Sequence, residues 1–152
     1  MFKCPNYIFV LWSDQFEELP ATTFVIQLRK AGLRVKLVSL ARRRITGTNG
    51  LALLPDFTLE QVLPLAKKAT SIIIPCGSFG AKQLDNDPRL NDFFQQAHES
   101  GAQFIIGQIP DFTEMQLFPK SMSDVSTYPD DEDLVPFARQ LAKSLSNGTR
   151  FV

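Results

Sequence analysis

Apolar and polar positions along this chain alternate between strand-like and helix-like periods. Tyr7 to Trp12 is a continuous apolar run, which predicts a central strand buried on both faces. From Ala21 to Ala31, Phe24, Val25, Leu28 and Ala31 recur at three- and four-residue steps, predicting a helix that Gly32 ends. Arg34 to Leu40 alternates, with Val35, Leu37 and either Val38 or Leu40 apolar, and reads as a second strand. Asn49-Gly50 signals a type I′ hairpin with short flanking strands. Thr58-Leu-Glu-Gln61 has the spacing of a capping box and opens a helix that Pro64 kinks or divides. Ser71 to Pro75 is a third buried strand. Asp87-Pro88 supplies an N-cap and a proline at N1 for a helix carrying Leu90, Phe93, Phe94 and Ala97 on one face, ending at Gly101. Gln103 to Ile109 is a further buried strand, and Lys120 to Asp130 reads as a surface loop. Asp130 to Asp133 is an acidic start for a last helix, with Leu134, Ala138, Leu141 and Leu145 in phase and Asn147-Gly148 as its stop.

This β-α-β repeat implies right-handed crossovers and a three-layer α/β/α sandwich around a mostly parallel, flavodoxin-like sheet. Length then sets the count: 152 residues suit a single domain, 1–152, with one core. Thirteen phenylalanines are expected to fill that core, with some available for an oligomer interface. Sixteen basic residues balance sixteen acidic ones, so neither nucleic acid nor an anionic membrane is the expected partner. No apolar run reaches the ~20 residues that span a bilayer, and Met1 to Asn6 lacks a signal-peptide layout. A cytoplasmic protein is expected. Cys4 and Cys76 are far apart and His98 is the only histidine, so no metal site or cofactor is predicted.

Candidate chemistry concentrates between Ser71 and Leu84. A strand of isoleucines runs into Pro75-Cys76-Gly77, then Ser78-Phe79-Gly80 opens a helix. At the carboxyl end of a parallel strand, such a turn can present backbone N–H groups to a ligand. Cys76 reads either as a small buried residue or as a reactive thiol whose pKa is lowered by the nearby helix N-terminus. The Gly77–Gly80 step lacks both the Walker lysine pattern and the GxGxxG fingerprint, so nucleotide binding has little support. Asp14, Asp111 and Glu114 read as solvated charges, with Mg²⁺ binding the less favoured alternative. Arg42-Arg43-Arg44 reads as a solvated turn after an edge strand, against a phosphate or partner contact. A response-regulator-like domain is disfavoured, because no acidic pair follows the first strand.

Four segments in order resemble the ThiJ/PfpI family, that of the Parkinsonism-associated deglycase, within the class I glutamine amidotransferase-like superfamily. They are Phe16-Glu17-Glu18, Arg29-Lys-Ala-Gly32, Asn49-Gly50 through Asp56 to Glu60, and Pro75-Cys-Gly-Ser-Phe-Gly-Ala81. The resemblance covers about residues 6–110. It implies a cysteine at a strand-to-helix elbow, a glutamate near the start of the first helix, in many members a later histidine, and an oxyanion-binding turn. Carried over by position, the cysteine falls on Gln108, followed by Ile109-Pro110, and the glutamate falls on Pro20. Glu17 and Glu18 lie nearby at other helical phases and read as complements to the helix dipole. The segment between the elbow and the last helix is about half the family length, so the strands that carry the histidine are expected to be missing. His98 belongs to the amino edge of the sheet, as solvated surface or a helix cap.

The resemblance therefore implies a degenerate catalytic site and a homodimer. The expected function is binding of a small ligand, or docking of a protein, by a non-catalytic domain. The candidate pocket residues are Glu17, Cys76, Gly77, Ser78, Gly107 and Gln108. The alternative is a divergent cysteine-dependent hydrolase, deglycase or redox protein using Cys76.

Overall fold

The computed structural model describes residues 6–109 and 124–148. Its order is β1 (Tyr7–Trp12), α1 (Glu18–Lys30), β2 (Val35–Ser39), β3 (Phe57–Thr58), α2 (Leu59–Val62) and a 3₁₀ segment (Leu63–Lys68). Then follow β4 (Ala69–Ile74), α3 (Ser78–Leu84), α4 (Pro88–Glu99), β5 (Gln103–Ile106), β6 (Val125–Thr127) and α5 (Asp131–Ser146). The strands form one sheet in the order β3-β2-β1-β4-β5-β6, and every pairing is parallel. α1 packs on α5, and α4 packs on the 3₁₀ segment. Aromatic contacts accompany both layers: Phe24 meets Tyr128 and Phe137, while Phe94 meets Phe93 and Phe104. The fold is thus an α/β sandwich of the flavodoxin-like kind.

Local signals account for most of the elements. β1 and β4 are the central strands, so Phe9, Val10, Ile72 and Ile73 are fully enclosed and need no polar face. Asp87 Oδ1 accepts from the Arg89 N–H at 3.0 Å, and Pro88 starts α4. Leu90, Phe93, Phe94 and Ala97 are its buried face. The Thr58 N–H donates to Gln61 Oε1 at 2.9 Å, completing the capping box, and Pro64 divides the helical stretch into α2 and the 3₁₀ segment. Gly32 ends α1 with φ +81°, a conformation glycine adopts without strain.

Four expectations change. The 49–50 turn is a hairpin bridge between Thr46 and Ala52, but Gly50 alone has positive φ there, whereas a type I′ turn needs two such residues. The stretch from 120 to 130 contains a strand, because β6 adds to β5 through Phe104↔Val125 and Ile106↔Thr127. β5 ends at Ile106, three residues early, since β6 also ends there and no partner carries the ladder further. β2 is not an edge strand, because β3 pairs outside it, and Arg42 and Arg43 after it are ion-paired within the chain to Glu60 and Asp14.

No helix among the described residues is long and apolar enough to cross a membrane. Cys4, Asp111 and Glu114 lie outside the described residues.

Candidate active-site crevice

In an open parallel sheet, ligands bind beyond the carboxyl ends of the strands where the strand order reverses. Here that point lies between β1 and β4: the chain moves outward to β2 and β3 on one side, and to β5 and β6 on the other. The segments leaving β1 and β4 meet there, and the Glu17 N–H donates to the Pro75 carbonyl at 2.7 Å. Glu17, Cys76, Gly77 and Gly107 thus lie on neighbouring segments at this edge of the sheet.

Cys76 is a free cysteine with no exposed surface. Burial, and then the Glu17 charge, push its thiol up to about 12. Of the two readings of Cys76, the small buried residue fits this burial, and the thiol with a lowered pKa does not. α3 has only seven residues, and desolvation penalises the thiolate in a site packed on all sides. Gly80 shows how tight that packing is. A Cβ there would lie 2.9 Å from Cys76 Cβ and 3.2 Å from Phe16 Cδ1, so Gly80 lets α3 close onto the cysteine. Gly77 is the N-cap of α3, and Glu17 Oε1 lies 3.4 Å from where its Cβ would be. Ser78 begins α3, but its side chain lies outside the described residues.

Glu17 and Glu18 separate in role. Glu17 is the half-buried N-cap of α1, and its carboxyl lies beside Gly77. Burial, followed by the charges of Asp131 and Glu18, raises its pKa. Glu18 is 6% exposed and turns the other way, onto the 47–51 turn. Its carboxylate accepts from Asn49 N at 2.7 Å, Leu51 N at 3.1 Å and Thr48 Oγ1 at 3.0 Å. Burial alone would raise its pKa, but the Leu51 N–H, its own N–H, the Thr48 hydroxyl and the Asn49 N–H outweigh that and hold it at about 2. Glu18 is therefore more than a complement to the helix dipole. Gly47 makes room for it, since a Cβ there would lie 2.5 Å from Glu18 Cδ.

Pro20 is buried in the first turn of α1 and offers no ionisable group. Gln108 is exposed just beyond β5, while its neighbour Gly107 is buried. A Cβ on Gly107 would fall 2.3 Å from the Cys76 carbonyl oxygen and 2.7 Å from Tyr128 Oη. Tyr128 is the crevice residue that the sequence reading missed. It is 5% exposed, its N–H donates to the Ile106 carbonyl at 2.9 Å, and its buried hydroxyl has no partner among the described residues. Burial, then the charges of Glu17, Cys76 and Asp131, raises its pKa. The available signal was the β-prone run Val125-Ser-Thr-Tyr128.

His98 stands in the last turn of α4, which leads into the start of β5, at the opposite edge of the sheet from Cys76. Its Nδ1 is buried without a partner among the described residues. No group of three or more His, Cys, Asp or Glu side chains that could hold a metal occurs among the described residues.

The fold is similar to that of known proteins. The chain aligns structurally with DJ-1beta of Drosophila melanogaster (17% identity, 93% of this chain and 91% of that one, TM-score 0.73). Oxidized DJ-1 of Toxoplasma gondii aligns at 16% identity over 96% of this chain and 100% of that one, TM-score 0.71. A putative protease I from Bacteroides thetaiotaomicron aligns at 13% identity over 92% and 99%, TM-score 0.72. At these identities the likeness establishes the fold. No curated protein matches by sequence. The DJ-1/PfpI family model matches residues 6–107, which include β1 through β5 and the Cys76 turn, and the chain therefore belongs to the DJ-1/PfpI family.

Proposed function

We propose that this chain is a non-catalytic DJ-1/PfpI domain of the cytoplasm, which binds a small ligand in the crevice beside Glu17, Cys76 and Gly107. The observation that carries this reading is the state of Cys76. It has no exposed surface for a substrate to reach, and burial together with the Glu17 charge pushes its thiol up, which keeps it protonated at neutral pH. At the position that the family resemblance assigns to the nucleophile stands the exposed amide of Gln108, and at the glutamate position stands Pro20. Neither can attack a carbonyl or take a proton from a thiol.

The test is thiol reactivity with turnover. In a Cys4→Ser background, Cys76 should react with iodoacetamide at pH 7.5 at least 100-fold slower than free cysteine, and Cys76→Ser should leave methylglyoxal and ester turnover at the buffer rate. Reaction at or above the free-thiol rate, with turnover lost in Cys76→Ser, favours the cysteine-dependent enzyme instead.

A second observation supports assembly as a homodimer. Leu19, Ile26, Leu51 and Leu54 are exposed large apolar residues, Leu54 to 92%. Ile26 and Leu54 line one cleft with Val25 and Leu53, and Leu19 and Ile26 are two turns apart on α1. The exposed apolar surface that Ile26 and Leu54 share in this cleft is of the kind that marks an interaction site. Light scattering should give twice the 17.1 kDa chain mass, and Leu54→Asp should give the monomer. A monomeric wild type at micromolar concentration overturns this part of the reading.

A further inference from the structure

The 47–51 turn carries a chemistry separate from that of the Cys76 crevice. Asn49 and Gly50 are both exposed at its tip. Gly50 has no side chain to shield its nitrogen, and its φ of +80° is one that glycine adopts without strain. When glycine follows asparagine, the next backbone nitrogen has open access to the carbonyl carbon of the asparagine side chain. Asparagine is a labile residue in proteins, and this pairing exposes it most. Asn147-Gly148 is the same dipeptide, but there Asn147 is the C-cap of α5.

The 47–51 turn is built around one buried carboxylate. Glu18 Oε1 accepts from Thr48 Oγ1 at 3.0 Å and from Asn49 Nδ2 at 3.2 Å. Glu18 Oε2 accepts from Asn49 N at 2.7 Å and from Leu51 N at 3.1 Å. Each oxygen thus faces two donors, and the residue is only 6% exposed. This arrangement needs a donor at the end of the residue 49 side chain. An acid at that position would set a second negative charge about where Nδ2 stands, acceptor against acceptor.

We propose that Asn49 is a site of spontaneous deamidation, and that the acid formed releases the 47–51 turn from Glu18. The Gly50 nitrogen gives up its proton to water and bonds to Asn49 Cγ. The Cγ–Nδ2 bond breaks, and ammonia leaves with the proton it needs from water. A water molecule then opens the cyclic imide at either carbonyl, giving aspartate or isoaspartate. Ring closure removes the Gly50 N–H, which donates to the Gly47 carbonyl at 3.0 Å. Aspartate opposes Glu18 by charge. Isoaspartate also adds a methylene to the main chain between Asn49 N and Leu51 N, the two N–H groups that Glu18 Oε2 holds.

Ageing the full chain at pH 7.4 and 37 °C tests this, with a peptide of the sequence 46–53 as the clock. Peptide mapping by mass spectrometry should show residue 49 of the folded chain converting to acid within tenfold of the peptide rate, and Asn49→Gln should remove that signal. Slower conversion overturns the site. At pH 7, Asn49→Asp should lower the urea midpoint more than Asn49→Ala, which removes the amide donor without adding charge. Introducing Glu18→Gln should at least halve the difference between those two variants. No difference between them, or a difference that shrinks by less than half, overturns the release from Glu18. If Asn49→Asp does not fold, adding Glu18→Gln should restore folding, and failure to do so overturns the release as well.

Discussion

Glu17 and Glu18 are adjacent carboxylates with opposite effects on stability, and substituting each by glutamine separates them. Glu18 closes the 47–51 turn onto α1 by accepting from two backbone N–H groups and the Thr48 hydroxyl. Hydrogen bonds to an ionised group are worth about 1.5–3 kcal/mol each but do not add simply. The pH linkage gives an independent ceiling. Holding a carboxylate near 2 instead of 4.5 corresponds to about 3 kcal/mol at neutral pH. The turn sits at the rim of the fold, where water screens the interaction, so about 2 kcal/mol is the working value. Glu18→Gln keeps the shape but can accept through one oxygen only, and its amide group faces other donors.

Urea unfolding at pH 7 should therefore show Glu18→Gln losing about 2 kcal/mol, or roughly 4–8 °C in Tm for a chain of this size. The sign of the pH effect follows from the direction of the shift. The folded pKa lies below the unfolded one, so the Glu18 contribution is complete above about pH 4.5 and is lost as pH falls towards 2. The gap between wild type and variant should narrow over that window. Glu17 behaves oppositely. Its folded pKa is raised, so its ionised form burdens the fold at neutral pH, and Glu17→Gln should hold or raise the Tm. A loss under 0.5 kcal/mol in Glu18→Gln (on the order of a single exposed surface change), or a gap that stays constant down to pH 3, refutes the latch.

Other substitutions test the crevice. Gly107→Ala would drive a methyl to 2.3 Å from a backbone oxygen and should cost about 3 kcal/mol or more, while Gly77→Ala, at 3.4 Å from the end of the Glu17 side chain, should cost under about 1 kcal/mol by urea titration. Gln108→Cys should produce an exposed thiol that alkylates at the free-cysteine rate but gives no methylglyoxal turnover, because Pro20 supplies no proton acceptor; turnover above buffer contradicts the proposed loss of catalysis. Asp87→Ala should lower stability by about 1 kcal/mol through loss of the α4 cap, with the oligomeric state unchanged by light scattering.

The sandwich was legible because its signals are local. The isoleucines of β4, the Asp87-Pro88 cap and the Leu90–Ala97 face each carry their structure within a few residues. β6 was not legible for the opposite reason. Val125 to Thr127 is too short to show a period, and it becomes a strand only because β5 offers an edge. The 49–50 turn failed similarly. The Asn49 N–H is taken by Glu18, more than thirty positions earlier in the chain, and no dipeptide rule contains that bond.

The crevice residues divide along the same line. Pro75-Cys76-Gly77 could be placed beyond a strand from sequence, because strand, turn and helix follow one another directly. The charge state of Cys76 could not, because two rules compete there. A helix N-terminus stabilises a thiolate, and burial destabilises it. The winner depends on how closely distant segments pack, and here α3 closes onto Cys76 at Gly80 while Glu17 adds a like charge. Glu17 and Glu18 were equally ambiguous, since neighbours on a helix point about 100° apart and only the position of the 47–51 turn selects which one is latched. Tyr128 enters the crevice only because β6 exists and Gly107 leaves room beside it. The resemblance located the Cys76 turn, but packing between segments far apart in the chain decides its chemistry: a buried thiol whose pKa is raised by desolvation and by the Glu17 charge, beside a buried Tyr128 hydroxyl that has no partner among the described residues.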